Sequence, residues 1–237
     1  MIPARYAATR FPGKLMQELA GKTIIRHTYD NTVATGLFDD VIVVTDSDII
    51  FKEITENGGT AMRSVLEHES GTDRIAEAAA GMDVSIIVNV QGDTPFVKKE
   101  PLQNLLREFN DPSVQVASLM QPLTDPELIS DPNYVKVAVD IHFNSLFFSR
   151  SVIPYPRNKQ IAIPYYEHIG VYAFRKSALL EFTTWPITPL EDAEKVECLR
   201  YLENGVPLRM VLTDFMGVEI DTPEDLERAK KENQTSN

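Results

Sequence analysis

The chain has 237 residues, of which 43% are hydrophobic, so it can bury the core of one domain with or without an insertion. Its formal charge of −12 makes it a poor candidate for nucleic-acid binding, which depends on many basic contacts. The single cysteine, Cys198, excludes an intramolecular disulfide framework and a cysteine-based zinc cluster.

No stretch of the sequence approaches the roughly 18 consecutive apolar residues of a membrane span, and the start lacks the pattern of a secretory signal. We therefore expect a cytoplasmic protein without membrane insertion. Residues 1–26 nevertheless carry five cations and one acid, so a basic segment begins an acidic chain. This distribution favours a small anionic ligand.

The first loop carries three cations, Arg5, Arg10 and Lys14, after a short apolar start. Backbone N–H groups in a turn, a glycine (Gly13) that allows close approach, and guanidinium groups that match phosphate oxygens together suit a polyphosphate. The loop matches neither a Walker loop nor G-x-G-x-x-G. On the loop alone, a solvated basic turn after an edge strand is an equally good interpretation.

Helices and short apolar strands alternate through residues 22–95. The pattern predicts helices over 22–34, 46–56 and 73–80, and strands over 40–45, 60–62 and 84–90. Such alternation is typical of a doubly wound α/β fold with a mostly parallel, Rossmann-like sheet, in which ligands bind beyond the carboxyl ends of the strands. The basic loop, residues 67–74 and residues 91–93 are all predicted at that edge.

From about residue 114 the pattern changes to short strands, predicted at 114–119, 135–139, 146–149 and 169–174. We expect a single domain over 1–237 with an inserted, smaller mixed or antiparallel layer over about 114–205. A helix over 190–203, a strand over 208–212 and a helix over 222–231 complete the chain. In the last helix, Thr222 is the predicted N-cap, with Pro223 at the first position and Asp225 at the third.

Two aspartates that are far apart in sequence are candidate metal ligands. Asp93 follows a buried strand, where a rigid carboxylate suits Mg²⁺, which completes its coordination with water and phosphate. An aspartate in a Gln-Gly-Asp turn more often bonds its own backbone. Asp221 precedes the last helix, where capping the helix together with Thr222 is the more common role.

Several motifs occur together along the chain: I-P-A-R-Y-A-A-T-R-F-P-G-K at 2–14, S-G-T-D-R at 70–74, G-D-T-P at 92–95, F-F-S-R-S-V-I-P at 147–154, H-I-G-V-Y at 168–172, P-L-E-D-A-E-K-V-E at 189–197 and D-T-P-E-D at 221–225. Together they resemble the motifs of the 3-deoxy-manno-octulosonate cytidylyltransferase family, the CMP-Kdo synthetases, over nearly the whole chain.

The resemblance implies transfer of CMP from CTP to the anomeric 2-hydroxyl of Kdo, an acidic eight-carbon sugar, for lipopolysaccharide biosynthesis. It implies Mg²⁺ held by Asp93 and Asp221, and a homodimer formed by the inserted layer. The implied catalytic residues are these two acids together with Arg5, Arg10 and Lys14. The implied nucleotide contacts are Ala4, Arg5, Arg10, Lys14, Ser70, Gly71, Thr72, Arg74 and Gln91.

For the sugar, the resemblance implies contacts from Gln91, Arg150, His168, Tyr172 and Glu197, with Arg150 at the carboxylate and His168 and Tyr172 at hydroxyls. The residues alone allow other interpretations. His168 and Tyr172 suit a core strand, and the glutamates at 191, 194 and 197 suit a solvated helical face. Residues 70–74 also suit a helix start with Thr72 or Asp73 as N-cap.

The sequence departs from the family pattern at Cys198, where glutamine is usual, and at Thr94, where glutamate is usual. Only Met1 and Ile2 precede Pro3, where family members carry more apolar residues, so we expect a few residues to be missing there. The alternatives are the 8-amino analogue of Kdo as acceptor, less readily sialic acid, and a catalytically inactive nucleotide-binding homologue.

Overall fold

The structure is a computed structural model that describes residues 1–7, 11–68, 70–214 and 219–235. The chain divides into two compact units. Residues 1–102 and 216–237 form the first unit, and residues 103–215 form the second.

The elements of both units are short, as the sequence indicates. Up to residue 110 they are β1 (Ile2–Ala4), a 3-10 helix (Lys14–Met16), β2 (Glu18–Leu19), β3 (Lys22–Thr23), α1 (Ile24–Ala34), β4 (Val43–Thr45), α2 (Asp48–Glu56), β5 (Ala61–Arg63), α3 (Gly71–Ala80), β6 (Ile86–Asn89), α4 (Lys99–Arg107) and a 3-10 helix (Glu108–Asn110). The remaining elements are β7 (Val116–Pro122), α5 (Pro126–Ser130), β8 (Lys136–Val139), β9 (Ser145–Ser149), β10 (Tyr166–Arg175), α6 (Lys176–Phe182), α7 (Pro189–Glu194), α8 (Leu199–Glu203), β11 (Arg209–Leu212) and α9 (Pro223–Thr235).

A parallel sheet organises the first unit. Strand β4 lies between β1 and β5, with Ile2 opposite Val43 and Val43 opposite Ala61. The backbone of Met1 exchanges hydrogen bonds with Val88 and Val90, at 2.7 and 3.1 Å, so β6 adjoins β1. The carboxyl ends of these strands meet at one edge, as predicted, and the loops that follow them lie there.

Side-chain caps fix where the helices of the first unit begin. Thr23 Oγ1 accepts from Arg26 N at 3.2 Å and starts α1. Ser70 Oγ accepts from Asp73 N at 3.1 Å and starts α3. The expected N-cap at Thr72 or Asp73 is therefore wrong, because Ser70 is the residue with extended backbone geometry and both later residues are already helical.

The last helix begins as predicted. Thr222 Oγ1 accepts from Asp225 N at 3.2 Å, and the Asp225 carboxylate accepts from Thr222 N at 2.9 Å. Pro223 is the first helical residue. Asp225 also accepts from Asp221 N at 3.1 Å, so the cap fixes the backbone of the residue just before the helix.

A mixed sheet organises the second unit, in the order β11, β7, β10, β8, β9. Strands β11 and β7 are parallel, and the other neighbours are antiparallel. Between Ile169 and Tyr172 the register of β10 against β7 shifts. Ser118 Oγ donates to the carbonyls of Ile169 and Val171 at this irregularity, at 3.1 and 2.9 Å.

The predicted single helix over 190–203 is wrong, because it is two helices, α7 and α8. Lys195 separates them with left-handed backbone angles, φ 52° and ψ 47°. The expected solvated glutamate face is also wrong at Glu191. This side chain is buried and forms a two-pronged ion pair with Arg200, at 2.6 and 2.7 Å. Within the part of the chain that the structure describes, no helix is long and apolar enough to cross a bilayer.

Candidate active site

Lys14 joins the two predicted metal ligands. Its Nζ lies 2.5 Å from Asp93 Oδ2 and 2.7 Å from Asp221 Oδ1. Asp93 lies beyond β6 and Asp221 lies before α9, and Ile220 N donates to the carbonyl of Asp93 at 3.0 Å. The two carboxylates, which are far apart in the sequence, therefore face one cationic group.

The charge of Lys14 is maintained by these neighbours. Burial alone would lower its pKa, but the charge of Asp93 and the hydrogen bonds to both carboxylates raise the pKa above its usual value. Lys14 is thus protonated at physiological pH. Together the three side chains carry a formal charge of −1, so the group can accept a divalent cation.

The donor set fits magnesium. Asp93 and Asp221 are 22% and 38% exposed, so their oxygens can be reached from solvent. Mg²⁺ in phosphate-transfer sites uses one or two protein carboxylates and fills its remaining positions with water and phosphate oxygens. A group of three or more metal-binding side chains is not found among the described residues, so a site here would need ligands from a substrate.

These three residues open onto a cavity of about 340 Å³ in the first unit. Thr72, in contrast, is buried within α3 and does not line it. Arg10 lies outside the described residues, so its predicted contact stays a prediction. The predicted nucleotide contacts that do line the cavity are Ala4, Arg5, Lys14, Ser70, Gly71, Arg74 and Gln91.

Close backbone packing shapes the cavity at two glycines. A Cβ at Gly71 would lie 3.0 Å from Cγ of Pro3, and a Cβ at Gly92 would lie 3.1 Å from the carbonyl oxygen of Pro3. Thr28 Oγ1, on α1, donates to the carbonyl of Gly92 at 2.9 Å and fixes the turn that contains Gly92. Larger side chains at either glycine would therefore displace β1 or fill the cavity.

Arg74 is a structural residue of this site as well as a lining residue. Its guanidinium is buried, donates to Asp46 Oδ2 at 2.8 Å, and also donates to Ser64 Oγ. Asp46 follows β4 and Ser64 follows β5, so Arg74 ties the ends of two strands to α3. Its predicted contact with the nucleotide stays a prediction.

Five lining residues were not among the contacts predicted from the sequence: Pro3, Phe11, Leu15, His68 and Gly92. His68 is 7% exposed, and its Nε2 lies 2.5 Å from Glu77 Oε2. The position of His68, two residues before the S-G-T-D-R motif, was a usable signal, because it places the histidine in the loop that leads into α3. Phe11 offered no comparable signal.

The other predicted sugar contacts lie in the second unit, whereas Gln91 lies in the first. His168 and Tyr172 lie side by side, with ring centroids 5.4 Å apart, and Phe148 packs on His168 at 4.9 Å. His168 Nε2 lies 3.0 Å from Ser118 Oγ. Burial lowers the pKa of His168 to about 4, so its ring is neutral at physiological pH.

Cys198 is buried beside this ring pair. The Tyr172 hydroxyl hydrogen-bonds to the Cys198 thiol, and burial, with the neighbouring charge of Glu197, raises the pKa of the thiol well above its usual value. The structure thus brings His168, Tyr172 and residues 197–198 together. Thr94, the other departure from the family pattern, is buried, and its hydroxyl has no hydrogen-bond partner among the described residues.

Arg150 has several backbone partners. Its guanidinium donates to the carbonyls of Glu194, Pro132 and Lys195, at 2.7, 2.9 and 3.3 Å. The backbone N–H of Arg150 donates to Glu194 Oε2 at 2.9 Å. Arg150 thus donates to two carbonyls at the end of α7, those of Glu194 and Lys195. The predicted contact with a sugar carboxylate would use its remaining N–H groups and stays a prediction.

Comparison with known proteins matches residues 1–215 to a family described as cytidylyltransferase. The chain is 58% identical over 233 residues to the 3-deoxy-manno-octulosonate cytidylyltransferase of Flavobacterium johnsoniae, covering 97% of this chain and 96% of that protein. It is 54% identical over 234 residues to the protein of the same name from Christiangramia forsetii, covering 98% and 94%. A solved structure of CMP:2-keto-3-deoxy-manno-octonic acid synthetase complexed with CTP matches with a TM-score of 0.95 and 34% identity, covering 100% and 98% of the two chains.

Proposed function

The chain belongs to the 3-deoxy-manno-octulosonate cytidylyltransferase family, and on that basis we propose that it transfers CMP from CTP to the anomeric 2-hydroxyl of Kdo. The products are CMP-Kdo and pyrophosphate. The observation that carries the proposal is the meeting of Lys14, Asp93 and Asp221 at one cavity. Family membership favours Kdo over its 8-amino analogue, and an active enzyme over an inactive homologue.

In the proposed reaction, the sugar hydroxyl releases its proton to water and its oxygen attacks the α-phosphorus of CTP, as the bond from that phosphorus to the bridging oxygen breaks and pyrophosphate leaves. Lys14 and Arg5, with Arg10, bind the β and γ phosphates and offset the charge on the leaving group. Asp93 and Asp221 would hold Mg²⁺, which when bound would neutralise phosphate charge and lower the pKa of the attacking hydroxyl. No covalent enzyme intermediate is required, so alignment of the two substrates carries much of the rate.

For the nucleoside, we propose contacts from Ala4, Ser70, Gly71, Arg74 and Gln91, without Thr72, which is buried within α3. Gln91 also contacts the sugar. In the second unit, Arg150 binds the Kdo carboxylate, while His168, Tyr172 and Glu197 bind hydroxyls. The proximity of the His168 and Tyr172 rings supports this grouping, because a neutral imidazole and a phenol both exchange hydrogen bonds with hydroxyls.

We further propose that the enzyme works as a homodimer, in the cytoplasm, for lipopolysaccharide biosynthesis. A nucleoside triphosphate substrate is available in that compartment, and an activated acidic sugar serves a glycosyltransferase. Light scattering at micromolar concentration tests the dimer, and a monomeric mass would contradict it.

A pyrophosphate-release assay tests the reaction. The purified chain is given CTP and Mg²⁺ with Kdo, with 8-amino-Kdo, with sialic acid or with no sugar. We expect rapid release with Kdo and loss of release when a chelator removes Mg²⁺. Release only with 8-amino-Kdo would reassign the acceptor, and no release with any acidic sugar would overturn the proposed reaction.

A further inference from the structure

A histidine and a glutamate form a pair at the wall of the cavity that the proposed reaction does not use. His68 lines the cavity, and its Nε2 lies 2.5 Å from Glu77 Oε2. Glu77 lies on α3, and His68 lies in the loop that connects β5 to that helix. The pair therefore holds a loop of the cavity wall against a helix.

The Glu77 carboxylate accepts several hydrogen bonds from this loop. Its Oε1 accepts from Val65 N at 2.9 Å, and the N–H of Leu66 also donates to the carboxylate. Burial alone would raise the pKa of Glu77, but these backbone bonds and the bond from His68 lower it below its usual value. Glu77 is therefore an ionised acceptor at neutral pH.

An ionised acceptor at Nε2 fixes the state of the imidazole ring. A carboxylate only accepts hydrogen bonds, so Nε2 of His68 carries the hydrogen. In the neutral ring, Nδ1 is then the hydrogen-bond acceptor. In its neutral form the ring of this lining residue thus carries one acceptor, in a cavity that is also lined by the cation Lys14 and the two acids.

The location of the pair indicates which part of a nucleotide it serves. Lys14, Asp93 and Asp221 mark the part of the cavity that suits phosphates and metal. His68 is close in sequence to Ser70 and Gly71, and Gly71 packs against Pro3. Because the phosphates and the metal would take the part of the cavity near Lys14, we place the nucleoside at the wall formed by His68, Ser70 and Gly71.

We propose that His68 is a nucleoside-binding residue whose Nδ1 accepts a hydrogen bond from a donor group of CTP, and that Glu77 is the positioning residue that fixes the donor and acceptor atoms of the ring. The proposal rests on the proposed function, because it takes CTP as the ligand. The donor is either the amino group of the base or a ribose hydroxyl, since both offer a hydrogen to an unprotonated ring nitrogen.

Two substitutions at His68 separate a ligand contact from a structural tether. In His68→Gln, the amide nitrogen replaces Nε2 and keeps a donor for Glu77, but the Nδ1 acceptor is lost. In His68→Asn, the amide oxygen replaces Nδ1, but the bond to Glu77 is lost. If His68 only holds the loop against α3, only His68→Asn should weaken CTP binding. If His68 contacts the nucleoside, His68→Gln should weaken CTP binding more than His68→Asn does.

We expect His68→Gln to weaken CTP binding by about 5- to 10-fold, the equivalent of one hydrogen bond, in calorimetric titration with Mg²⁺ and no sugar. His68→Asn should weaken binding less. His142→Gln is the matched control, because His142 is an exposed histidine in the second unit, and it should bind CTP like the unmodified chain. Affinity of His68→Gln within twofold of the unmodified chain, or a larger loss for Asn than for Gln, would overturn the contact.

Two further ligands identify the donor group. If the base amino group is the donor, His68→Gln loses affinity for CTP but not for UTP, which has a carbonyl at that position. If a ribose hydroxyl is the donor, the loss extends to UTP and disappears for the matching deoxy-CTP. Either pattern supports the contact, and an equal loss for CTP, UTP and the deoxy-CTP overturns it.

Glu77→Gln tests the positioning role. Because the N–H groups of Val65 and Leu66 need the amide oxygen of the glutamine, its N–H₂ group faces Nε2. Nε2 can accept from that group only if the hydrogen of the ring moves to Nδ1, so the Nδ1 acceptor becomes a donor. CTP affinity should fall as in His68→Gln, and unchanged affinity would overturn the role of Glu77. Binding of CTP without sugar tests the roles of His68 and Glu77, whereas pyrophosphate release by the unmodified chain tests the proposed reaction. The two proposals can therefore fail separately.

Discussion

Lys14 Nζ lies 2.7 Å from Asp221 Oδ1, although the two residues are 207 positions apart in the chain. The same ammonium group bonds Asp93 at 2.5 Å. Because both acids surround one cation, a substitution at any of the three alters the charge balance at a common point. This relationship makes the centre accessible to simple tests.

Asp93→Asn should lower turnover at least about 100-fold, because it removes one of the two proposed Mg²⁺ ligands while preserving the shape of the side chain. Asp83→Asn is the matched control, since Asp83 is an exposed aspartate of the first unit. Initial rates of pyrophosphate release and thermal unfolding midpoints are measured for both variants. Substantial activity in a folded Asp93→Asn variant would remove the metal assignment.

Glu191→Ala should destabilise the protein by about 3 to 5 kcal/mol, because it leaves the Arg200 guanidinium buried without its anionic partner. Asp192→Ala, at the next position of the same helix, should change stability by less than about 0.5 kcal/mol, since its ion pair with Lys195 is largely exposed. Urea unfolding followed by circular dichroism compares them. Similar midpoints for the two variants would contradict the importance of the buried pair.

The folded chain should lose stability as the pH decreases, partly because of His168. Its pKa of about 4 in the folded chain lies below the usual 6.5, so between these values the unfolded chain binds a proton that the folded chain does not. The contribution of His168 is present above pH 6.5 and is lost as the pH falls through about 4.

His168→Gln should remove about 2 kcal/mol from the decrease in unfolding free energy between pH 7.5 and pH 5. His142→Gln should leave the decrease unchanged, because His142 is exposed. Urea titrations of the unmodified chain and both variants at the two pH values supply the three decreases. A decrease in His168→Gln equal to that of the unmodified chain would show that this ring is not the titrating group.

Gly71→Ala should destabilise the first unit by about 1 to 3 kcal/mol, because the added methyl meets the rigid ring of Pro3 at 3.0 Å. Gly81→Ala should be neutral or stabilising by up to about 1 kcal/mol. Gly81 ends the same helix with φ −87°, and no atom lies within 4 Å of the added methyl. The order of the two unfolding midpoints checks the prediction, and a reversed order would contradict it.

The sequence was informative where a local pattern determines the structure. Buried apolar runs located β4 and β6, and Thr222 with Asp225 located the start of α9, because strand and cap signals depend on neighbouring residues. The acids at 93 and 221 were paired through family motifs, since their separation in the chain gives no local indication of contact.

Features that depend on tertiary packing were missed. The glutamate spacing at 191, 194 and 197 indicated one exposed helix, but Lys195 breaks that helix in a left-handed conformation unusual for a residue with a side chain. Close to this break, Arg200 pairs with Glu191, and Arg150 donates to the carbonyl of Glu194. The spacing of apolar and charged residues does not predict such a break. Lys195 adopts the left-handed conformation only because its neighbours stabilise the turn.

The first unit is built from two stretches of chain separated by residues 103–215. During translation, Lys14 and Asp93 therefore leave the ribosome long before Asp221, and a nascent chain that ends at residue 215 lacks one of the two acids. The bond from Ile220 N to the Asp93 carbonyl forms only when the final segment arrives. The proposed metal site therefore requires the final segment of the chain, so premature termination within the second unit produces chains without it.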